Sequence, residues 1–494
     1  MLSVVIFLPV VVAVVLAVAR RTPTGVTRWV WVGTTAVDLT LTVLVAATPA
    51  ADGTLQGEEQ WEWMPGVGSS YHVGVDGLSV PLLLMSGVVF LVCALWSLRA
   101  TDRPRPQAAL FLFLQSSCLG VFASQDLILF FLFFDLSIVG MYFVIAGWGH
   151  GNPRRSALKF FLYTFLGSLA LLLGFIGLYL GATPHSFDMV ELSRSGAFTG
   201  APWLASLVLA AIVIGLAIKT PTFPFHSWLP PAHTDAPTIG SVVLASVLLK
   251  LGTYGFVRIA IPMLPDAWRS WAGVIVAVGI VSVLYGALVA MAQTDVKRMI
   301  AFTSINHMGY VVLAVGAAGI VGSTSAQAQQ LAITGAVTQM VSHGLVTGAL
   351  FLLAGVFYDR TGSYDLRDYG GLARPAPRFA AFFAIASFAS LGLPGFSGFI
   401  AEFQIFTGSI GTTWWALIAL PGILITAVLL LRAFQRVFTG PTENLAQGFL
   451  DLRPRETVSL AILLGMSVVI GIFPAPLLAM IQPAAEAVVA TLSP

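Results

Sequence analysis

The chain has 494 residues, of which 57% are hydrophobic and only 9% charged, whereas soluble domains carry about 25% charged residues. With a mean hydropathy of +0.90, this composition excludes a soluble fold and predicts an all-α membrane protein. The formal net charge of +2 is too small for a nucleic-acid-binding protein, and the two cysteines, both in apolar segments, exclude a disulfide framework and an iron–sulfur cluster.

Apolar stretches recur from end to end, and about 14 of them have the roughly 20-residue length needed to cross a bilayer as helices. They begin near residues 2, 29, 78, 108, 126, 157, 202, 239, 271, 299, 328, 378, 413 and 457. The first stretch has no basic segment before it, so we interpret it as a retained span and not as a secretory signal peptide. Between spans 2 and 3, residues 49–77 are acidic and Trp-rich (EEQWEWMPG), which suits a lid at the level of the lipid headgroups.

The loops on the two sides of these spans differ in their content of Lys and Arg. One side carries 19 of these residues and the other carries 3, namely Arg194, Arg258 and Arg269. Because Lys and Arg concentrate on the cytoplasmic side, the first set of loops is predicted to be inner and both termini are predicted to be outer. The other two of the 24 basic residues, Lys219 and Lys250, fall inside apolar spans.

Six ionisable residues are predicted to lie near the middle of the bilayer. They are Asp135 in span 5, Lys219 in span 7, Lys250 in span 8, His307 in span 10, His343 in span 11 and Glu402 in span 12. A charge at that depth costs about 2.5–3.5 kcal/mol on insertion scales, and a lysine there is too far from the surface to extend its charge into water. A hydrated functional row is the favoured interpretation, and structural ion pairs are the alternative.

Other polar residues leave more than one interpretation open. Asp38 in span 2 is surrounded by threonines, so hydrogen-bonded packing is as reasonable as any other role. His226 and His233, in the inner loop after span 7, could pack at the interface or relay protons. Asp126 and Asp295 lie at span ends, where helix caps are the better interpretation.

Two spans are interrupted by helix-breaking residues. Thr220-Pro221 follow Lys219 directly in span 7, and SLGLPGFSGFIAEF (390–403) places glycines and a proline in span 12 just before Glu402. Irregular backbone at membrane depth is tolerated only where it is buried in protein or lines a wet cavity, and interrupted helices in two corresponding halves indicate inverted repeats around a midplane site. The predicted divisions are spans 1–3 (residues 1–107), a first five-span repeat (108–262), a second five-span repeat (271–440) and span 14 (441–494).

Five motifs carry a resemblance to a known family: IKTPTFPFHSWLPPAHTDAPT, SVVLASVLLKLGTYGFVR, VKRMIAFTSINHMGY, TQMVSHGLVTGALFLLAGVFYDR and SLGLPGFSGFIAEF. From about residue 70 to 440 the sequence resembles the antiporter-like subunits of respiratory complex I, the proton-translocating NADH–quinone oxidoreductase. The resemblance is closest to the M type, because the L type continues into a long lateral helix and this chain ends soon after span 14. It implies 14 helices, two inverted five-helix repeats, and broken helices 7 and 12.

The resemblance also implies roles for individual residues. By this resemblance, Lys219 and Lys250 match the central membrane lysines of the family, and Glu402 matches its helix-12 acid. His307 and His343 match two histidines on its hydrated axis. The helix-5 acid of the family is typically Glu, whereas the motif LFFLFFDLSIVG has Asp135 in this chain.

The implied function is proton translocation in the cell membrane. We expect a proton from the inner side to pass from Lys219 to Lys250 and leave past Glu402, and we expect a neighbouring subunit to trigger an Asp135–Lys219 pair. The sequence has no flavin, nucleotide or iron–sulfur signature, so NADH, FMN, iron–sulfur clusters and quinone are expected in partner subunits, with L-type and N-type antiporter-like subunits as neighbours. Three alternatives stay open: a subunit of a multisubunit sodium/proton antiporter, the membrane arm of a hydrogenase or ferredoxin-linked complex, and a structural spacer with static charges.

Overall fold

A computed structural model describes residues 1–19, 21–48, 55–98, 102–195, 198, 200–320 and 326–493. Two of the 19 basic residues predicted for the inner loops, Arg20 and Arg99, lie outside these ranges, as do residues 49–54 of the predicted lid. Within the ranges the chain is mostly helical, and eleven helices are long and apolar enough to cross a membrane: Thr24–Ala46, Pro104–Ala123, Leu127–Trp148, Pro153–Gly181, Pro202–Lys219, Thr238–Met263, Pro265–Met291, Val296–Ala318, Ala326–Thr361, Trp414–Phe438 and Pro454–Ile472. Shorter apolar helices are Leu2–Val18, Val80–Trp96, Pro377–Ser390 and Ala475–Thr491. The chain is therefore a multi-pass membrane protein, as predicted.

Several helices begin before the start of the predicted span. The spans expected near residues 108, 157 and 271 begin at Pro104, Pro153 and Pro265. Proline is favoured at the first helical position, because an N–H group there would have no partner within the helix and the fixed φ of proline already suits a helix. These first turns also contain charged residues, so an apolar pattern alone leaves them out.

The helices Val296–Ala318 and Ala326–Thr361 form the centre of the molecule. The most apolar stretch of each is completely buried by other helices. Peripheral helices such as Pro153–Gly181 and Trp414–Phe438 instead expose large apolar side chains on their outward faces. This distribution suits a bundle whose periphery faces lipid or neighbouring membrane helices, and it keeps the central polar residues away from both.

Both predicted helix interruptions are present. The helix Pro202–Lys219 ends at the lysine, and the chain becomes helical again over Leu229–Asp235. The helix Pro377–Ser390 is also followed by irregular backbone, and the helix Ser397–Thr412 begins after six non-helical residues. Each interruption therefore brings irregular backbone beside a charged residue.

The predicted lid contains a β-hairpin that was not expected from the sequence. The strands Gln56–Met64 and Ser69–Val75 pair in antiparallel fashion, and the ring of Trp61 stacks on Tyr71 with centroids 5.3 Å apart. The alternation of tryptophan and glutamate in this segment has the period of two that is typical of a strand. Two-residue strands elsewhere, Tyr369–Gly370 and Glu443–Asn444, also pair.

The C-terminal region contains two helices where one is predicted. The expected span is Pro454–Ile472, and a second helix, Ala475–Thr491, follows Phe473-Pro474. The division at residues 441–494 therefore holds more than a single helix, because proline disfavours a helical conformation of the residue before it. Arg269 Nη1 donates a hydrogen bond of 2.9 Å to the carbonyl of Leu492, just beyond this second helix.

Candidate functional site

Lys219 is the last residue of its helix, and its side chain is only 1% exposed. The helix stops there because Pro221 cannot continue it. The carbonyl of Ile218, which the interruption leaves without its helical partner, accepts a hydrogen bond of 2.9 Å from Trp228 Nε1. The chain beyond the interruption thus returns to satisfy the broken helix end, and it holds the lysine in the protein interior.

Asp135 and Lys219 interact electrostatically, but no direct ion pair joins them within the described residues. The Lys219 ammonium instead donates to Ser137 Oγ at 3.2 Å and lies 4.7 Å from the ring centroid of Phe134. Asp135 is half-buried, its side chain interacts with Ser168, and its Oδ1 has no other polar partner in the described part of the chain. The expected Asp135–Lys219 pair is therefore an indirect one in this structure.

Lys250 is completely buried, and two π-helical turns flank it. These turns are Leu244–Leu248 and Phe256–Ala260. A π turn interrupts the usual helical hydrogen-bond ladder. The Lys250 ammonium donates a hydrogen bond of 2.6 Å to the carbonyl of Ala245, which lies in the first of these turns. The ammonium also lies 2.6 Å from His343 Nδ1, and no carboxylate of the described residues lies within ion-pair distance of it.

His343 and His307 extend the polar contacts beyond Lys250. Their rings meet edge to face with centroids 5.5 Å apart, and both side chains are buried. His307 interacts with the backbone of Ser390, the last residue before the second helix interruption. His343 Nε2 has no hydrogen-bond partner among the residues that the structure covers. Because imidazole nitrogens both accept and donate protons, these histidines and Lys250 are three adjacent groups able to carry one.

Glu402 lies just beyond the second interruption and is 8% exposed. Its carboxylate packs against Gly392, where an added Cβ would overlap Oε2. Glu402 also lines a cavity of about 630 Å³ whose other walls are mostly apolar, including Phe403 and Phe406. The acid is thus enclosed by protein on one side and borders an open groove on the other.

The structure brings the six predicted residues together to different degrees. Lys250, His343 and His307 are in contact, and Asp135 lies near Lys219. No direct hydrogen bond within the described ranges joins Lys219 to Lys250 or His307 to Glu402. The same residues contain no group of three or more His, Cys, Asp or Glu side chains that could hold a metal ion.

The burial of two further groups was not predicted from the sequence. Lys297, one of the 19 basic residues predicted for the inner loops, is completely buried, and its ammonium donates to the carbonyl of Ala236 at 2.5 Å. His233 is also completely buried, stacks on Phe351 with ring centroids 4.4 Å apart, and interacts electrostatically with Lys297 and Lys250. Other parts of the fold bury both residues, and no local sequence pattern predicts this burial.

The aspartates outside the row have structural contacts. Asp126 accepts hydrogen bonds from the first backbone N–H groups of its helix, and Asp295 does the same for its own, so both are caps as predicted. Asp38 is buried and accepts a hydrogen bond of 2.6 Å from Gln115. The neighbouring threonines bond to carbonyls of their own helix. The packing interpretation of Asp38 therefore rests on Gln115 and not on the threonines.

Known proteins are similar to this chain along most or all of its length. The family described as NADH:quinone oxidoreductase/Mrp antiporter, TM, matches residues 124–429. NADH-quinone oxidoreductase subunit M of Rickettsia prowazekii (strain Madrid E) is 40% identical over 428 residues, which are 86% of this chain and 84% of that protein. A chain of respiratory complex I from Thermus thermophilus superimposes with a TM-score of 0.90 and 29% identity over 100% of both chains. A chain of the Mrp complex from Dietzia sp. shares the fold, with a TM-score of 0.83 and 22% identity over 100% of this chain and 99% of that one. The chain therefore belongs to the family of NADH-quinone oxidoreductase subunit M, the proton-translocating antiporter-like subunits of respiratory complex I.

Proposed function

We propose that this chain translocates protons along a row that begins at Asp135 and ends at Glu402, driven by NADH–quinone chemistry in partner subunits. The row contains, in order, Asp135, Lys219, Lys250, His343, His307 and Glu402. The observation that carries the proposal is the 2.6 Å contact between the Lys250 ammonium and His343 Nδ1. No carboxylate among the described residues is close enough to fix the charge on that lysine.

A static charge is a poor explanation for such a lysine. Keeping a lysine charged at mid-depth costs about 2.5–3.5 kcal/mol on insertion scales, and a structural role would favour a direct counter-ion. In the proposed step an N–H bond of Lys250 breaks as one forms at His343 Nδ1, and the other ring nitrogen releases its proton towards His307. One proton moves, the next proton from Lys219 restores the charge of Lys250, and the His343 ring then turns over so that an unprotonated nitrogen faces Lys250 again.

The ends of the row receive and release the proton. Uptake from the inner side reaches Lys219 at the first helix interruption, and water bridges the distance to Lys250. Glu402 accepts the proton from His307 and releases it into the adjoining cavity. Asp135 biases Lys219 through its electrostatic interaction, so a change in the charge of a neighbouring subunit beside Asp135 acts as the trigger.

The proposed architecture has 14 membrane-crossing helices and two inverted five-helix repeats. Its divisions are residues 1–107, 108–262, 271–440 and 441–494. The backbone supports this symmetry, because Asp126 forms an isolated bridge with Asp188 and Asp295 forms one with Asp365. Asp126 and Asp295 each begin the second helix of a repeat, and an inverted pair starts these helices on opposite sides of the membrane.

Both termini are proposed to lie on the outer side of the cell membrane. The N-terminal ammonium pairs with Glu59 of the β-hairpin at 2.6 Å. Near the other terminus, the carbonyl of Leu492 accepts a hydrogen bond from Arg269. The hairpin and Arg269 both belong to the loops that are poor in Lys and Arg, so these contacts support one location for both ends.

L-type and N-type antiporter-like subunits are the proposed neighbours, together with lipid. Large apolar side chains are exposed on the helices that carry the two ends of the row: Phe143 on the Asp135 helix and Phe403 on the Glu402 helix. Such faces suit packing against helices of adjacent subunits. In this assembly NADH, FMN, the iron–sulfur clusters and quinone belong to the partner subunits.

The test replaces each central lysine in the native complex. Lys219→Ala and Lys250→Ala are expected to abolish proton translocation nearly completely in inverted membrane vesicles energised with NADH, because each removes a carrier that water alone replaces poorly. The matched control is Lys159→Ala, since Lys159 is an exposed lysine on the inner side. The amount of assembled complex is measured for every variant.

Two results would count against the proposal. Normal translocation at normal abundance in either central variant would assign that lysine a structural role. Purification of the native complex without flavin and iron–sulfur subunits would favour the antiporter alternative, in which an ion gradient drives transport.

A further inference from the structure

Tyr310 contacts His307 and interacts electrostatically with Glu402, two residues that no direct hydrogen bond joins in the described part of the chain. Its side chain is 1% exposed. It lies three positions after His307 on the same helix, so both side chains lie on one face, and their ring centroids are 5.6 Å apart. The tyrosine therefore continues the direction of the row beyond its last histidine.

On the other side, Tyr310 contacts the helix that carries Glu402. Its ring meets Phe406 edge to face with centroids 5.3 Å apart, and Phe406 lies one turn after Glu402 on the same face. Tyr310 and Glu402 also interact electrostatically. The tyrosine ring thus packs between His307 and the Glu402 helix, and its hydroxyl is in electrostatic range of the acid.

The surroundings of the phenol are polar in an otherwise apolar interior. Tyr310 interacts with the side chains of Asn306 and Thr426. Asn306 is held by its donation to the carbonyl of Val283 at 2.8 Å, and Thr426 Oγ1 donates to the carbonyl of Gly422 at 2.9 Å. Because Asn306 and Thr426 already have these partners, they are fixed groups among which the tyrosine hydroxyl can turn.

We propose that Tyr310 is a proton-relay residue between His307 and Glu402. A ring N–H bond of protonated His307 breaks as an O–H bond forms on the tyrosine oxygen, and the original O–H bond breaks as the proton passes to the Glu402 carboxylate. Histidine, tyrosine and glutamic acid are all neutral afterwards, and one proton has moved. The hydroxyl then rotates back among Asn306 and Thr426 to accept the next one.

The relay rests on the proposed function and extends it to a residue that the sequence alone does not single out. Its rival is a purely structural tyrosine, whose hydroxyl only satisfies Asn306 and Thr426. The two roles differ in the effect of removing a single oxygen atom. Loss of a structural hydroxyl affects abundance and stability, whereas loss of a relay hydroxyl affects the rate of proton transfer.

The test is Tyr310→Phe in the native complex, which keeps the ring contacts with His307 and Phe406 and deletes the hydroxyl. NADH-driven proton translocation is expected to fall about tenfold or more, since a positioned proton-transfer group contributes roughly 10²–10⁴-fold to a rate. The effect of replacing H₂O by D₂O on NADH oxidation is expected to increase, because a transfer step that was fast becomes limiting. A structural defect leaves that isotope effect unchanged.

Tyr254→Phe is the matched control, because Tyr254 is equally buried and its hydroxyl bonds to the carbonyl of Phe122 at 3.1 Å and to Arg258 Nε at 2.9 Å, neither of which belongs to the proposed row. Equal losses in the two variants, or normal translocation in Tyr310→Phe, would overturn the relay. Lys250→Ala is included as the test of the row itself. Loss of translocation in Lys250→Ala with normal Tyr310→Phe would remove only the relay, whereas normal Lys250→Ala would remove the proposed function.

Discussion

The two central lysines differ in what holds their charge. The Lys219 ammonium rests on a serine hydroxyl and an aromatic face, with Asp135 in electrostatic range but not in contact. Lys250 faces a backbone carbonyl and an imidazole. In the proposed mechanism the Asp135 carboxylate biases the first lysine from a distance, and the second lysine exchanges its proton with its nearest neighbour, His343. This difference suits a switch at one position and a carrier at the other.

A double-mutant cycle tests whether Asp135 and Lys219 act as a pair. Asp135→Asn and Lys219→Met are each expected to impair translocation, because removing one member of a buried pair leaves the other charge uncompensated. The double variant is expected to be far better than the sum of the two losses. The measurement is the rate of proton translocation in membrane vesicles, normalised to assembled complex.

Asp102→Asn is the control for loss of a carboxylate, because Asp102 is exposed and pairs only with its neighbour Arg103 among the described ion pairs. It should leave translocation unchanged. An additive cycle, with zero interaction energy between Asp135 and Lys219, would mean that Lys219 has another partner. Ser137, which accepts the Lys219 hydrogen bond, would then be the first residue to examine.

Among individual residues, the sequence indicates the location of some buried charged groups and gives no sign of others. Lys219 and Glu402 are recognisable because helix-breaking residues adjoin a charge inside an apolar span. Lys297 is not recognisable, because a lysine at the start of a span is normally exposed and only the tertiary arrangement buries it. Tyr310 is similar, since an aromatic residue in an apolar helix is most often packing and its polar neighbours come from distant parts of the chain.

The second helix interruption owes its geometry to two glycines with positive φ. Gly392 has φ +69° and Gly395 has φ +96°, values that L-residues with a side chain adopt only with strain. They differ in their surroundings, because a Cβ at Gly392 would overlap the Glu402 carboxylate and a Cβ at Gly395 would meet nothing within 4 Å. Substitutions at Gly392 and Gly395 therefore distinguish the effect of backbone strain from the effect of displacing the Glu402 carboxylate.

Gly392→Ala is expected to impair proton translocation several-fold more than Gly395→Ala. Both substitutions impose a backbone cost of roughly 1–2 kcal/mol, but only the first pushes Glu402 out of position. Translocation and thermal stability of the complex are measured for both. Equal translocation in the two variants would mean that the position of the Glu402 carboxylate does not matter for transport.

Elements with a strong local signal are predictable, and those that depend on contacts are not. Long apolar stretches predict the spans, and proline with glycine predicts the interruptions. The π turns beside Lys250 have no such signal, because they insert one extra residue into a turn of an otherwise continuous apolar helix. The helix Ala475–Thr491 was missed for another reason: it continues the apolar pattern of Pro454–Ile472, and only Phe473-Pro474 separates them.

For the molecule as a whole, the orientation in the membrane is the property to test. Reporter tags at Arg103, Arg154 and Arg367 are expected to be cytoplasmic, and a tag at Gln60 is expected to be external, because Lys and Arg concentrate in inner loops. Labelling of intact cells with an impermeant reagent gives the measurement. A cytoplasmic tag at Gln60 would contradict the proposed topology and the location of both termini.

The length of the helix Ala326–Thr361 has a consequence for how the protein responds to its lipids. Its 36 residues extend for about 54 Å at 1.5 Å each, whereas the hydrocarbon core is roughly 30 Å thick. A lipid-facing helix of that length would change its tilt whenever bilayer thickness changed. This helix is enclosed by protein along its most apolar stretch, and His343 lies at its middle. The spacing of Lys250, His343 and His307 is therefore expected to be independent of bilayer thickness, and sensitivity to lipid is expected only at the ends of the proposed row.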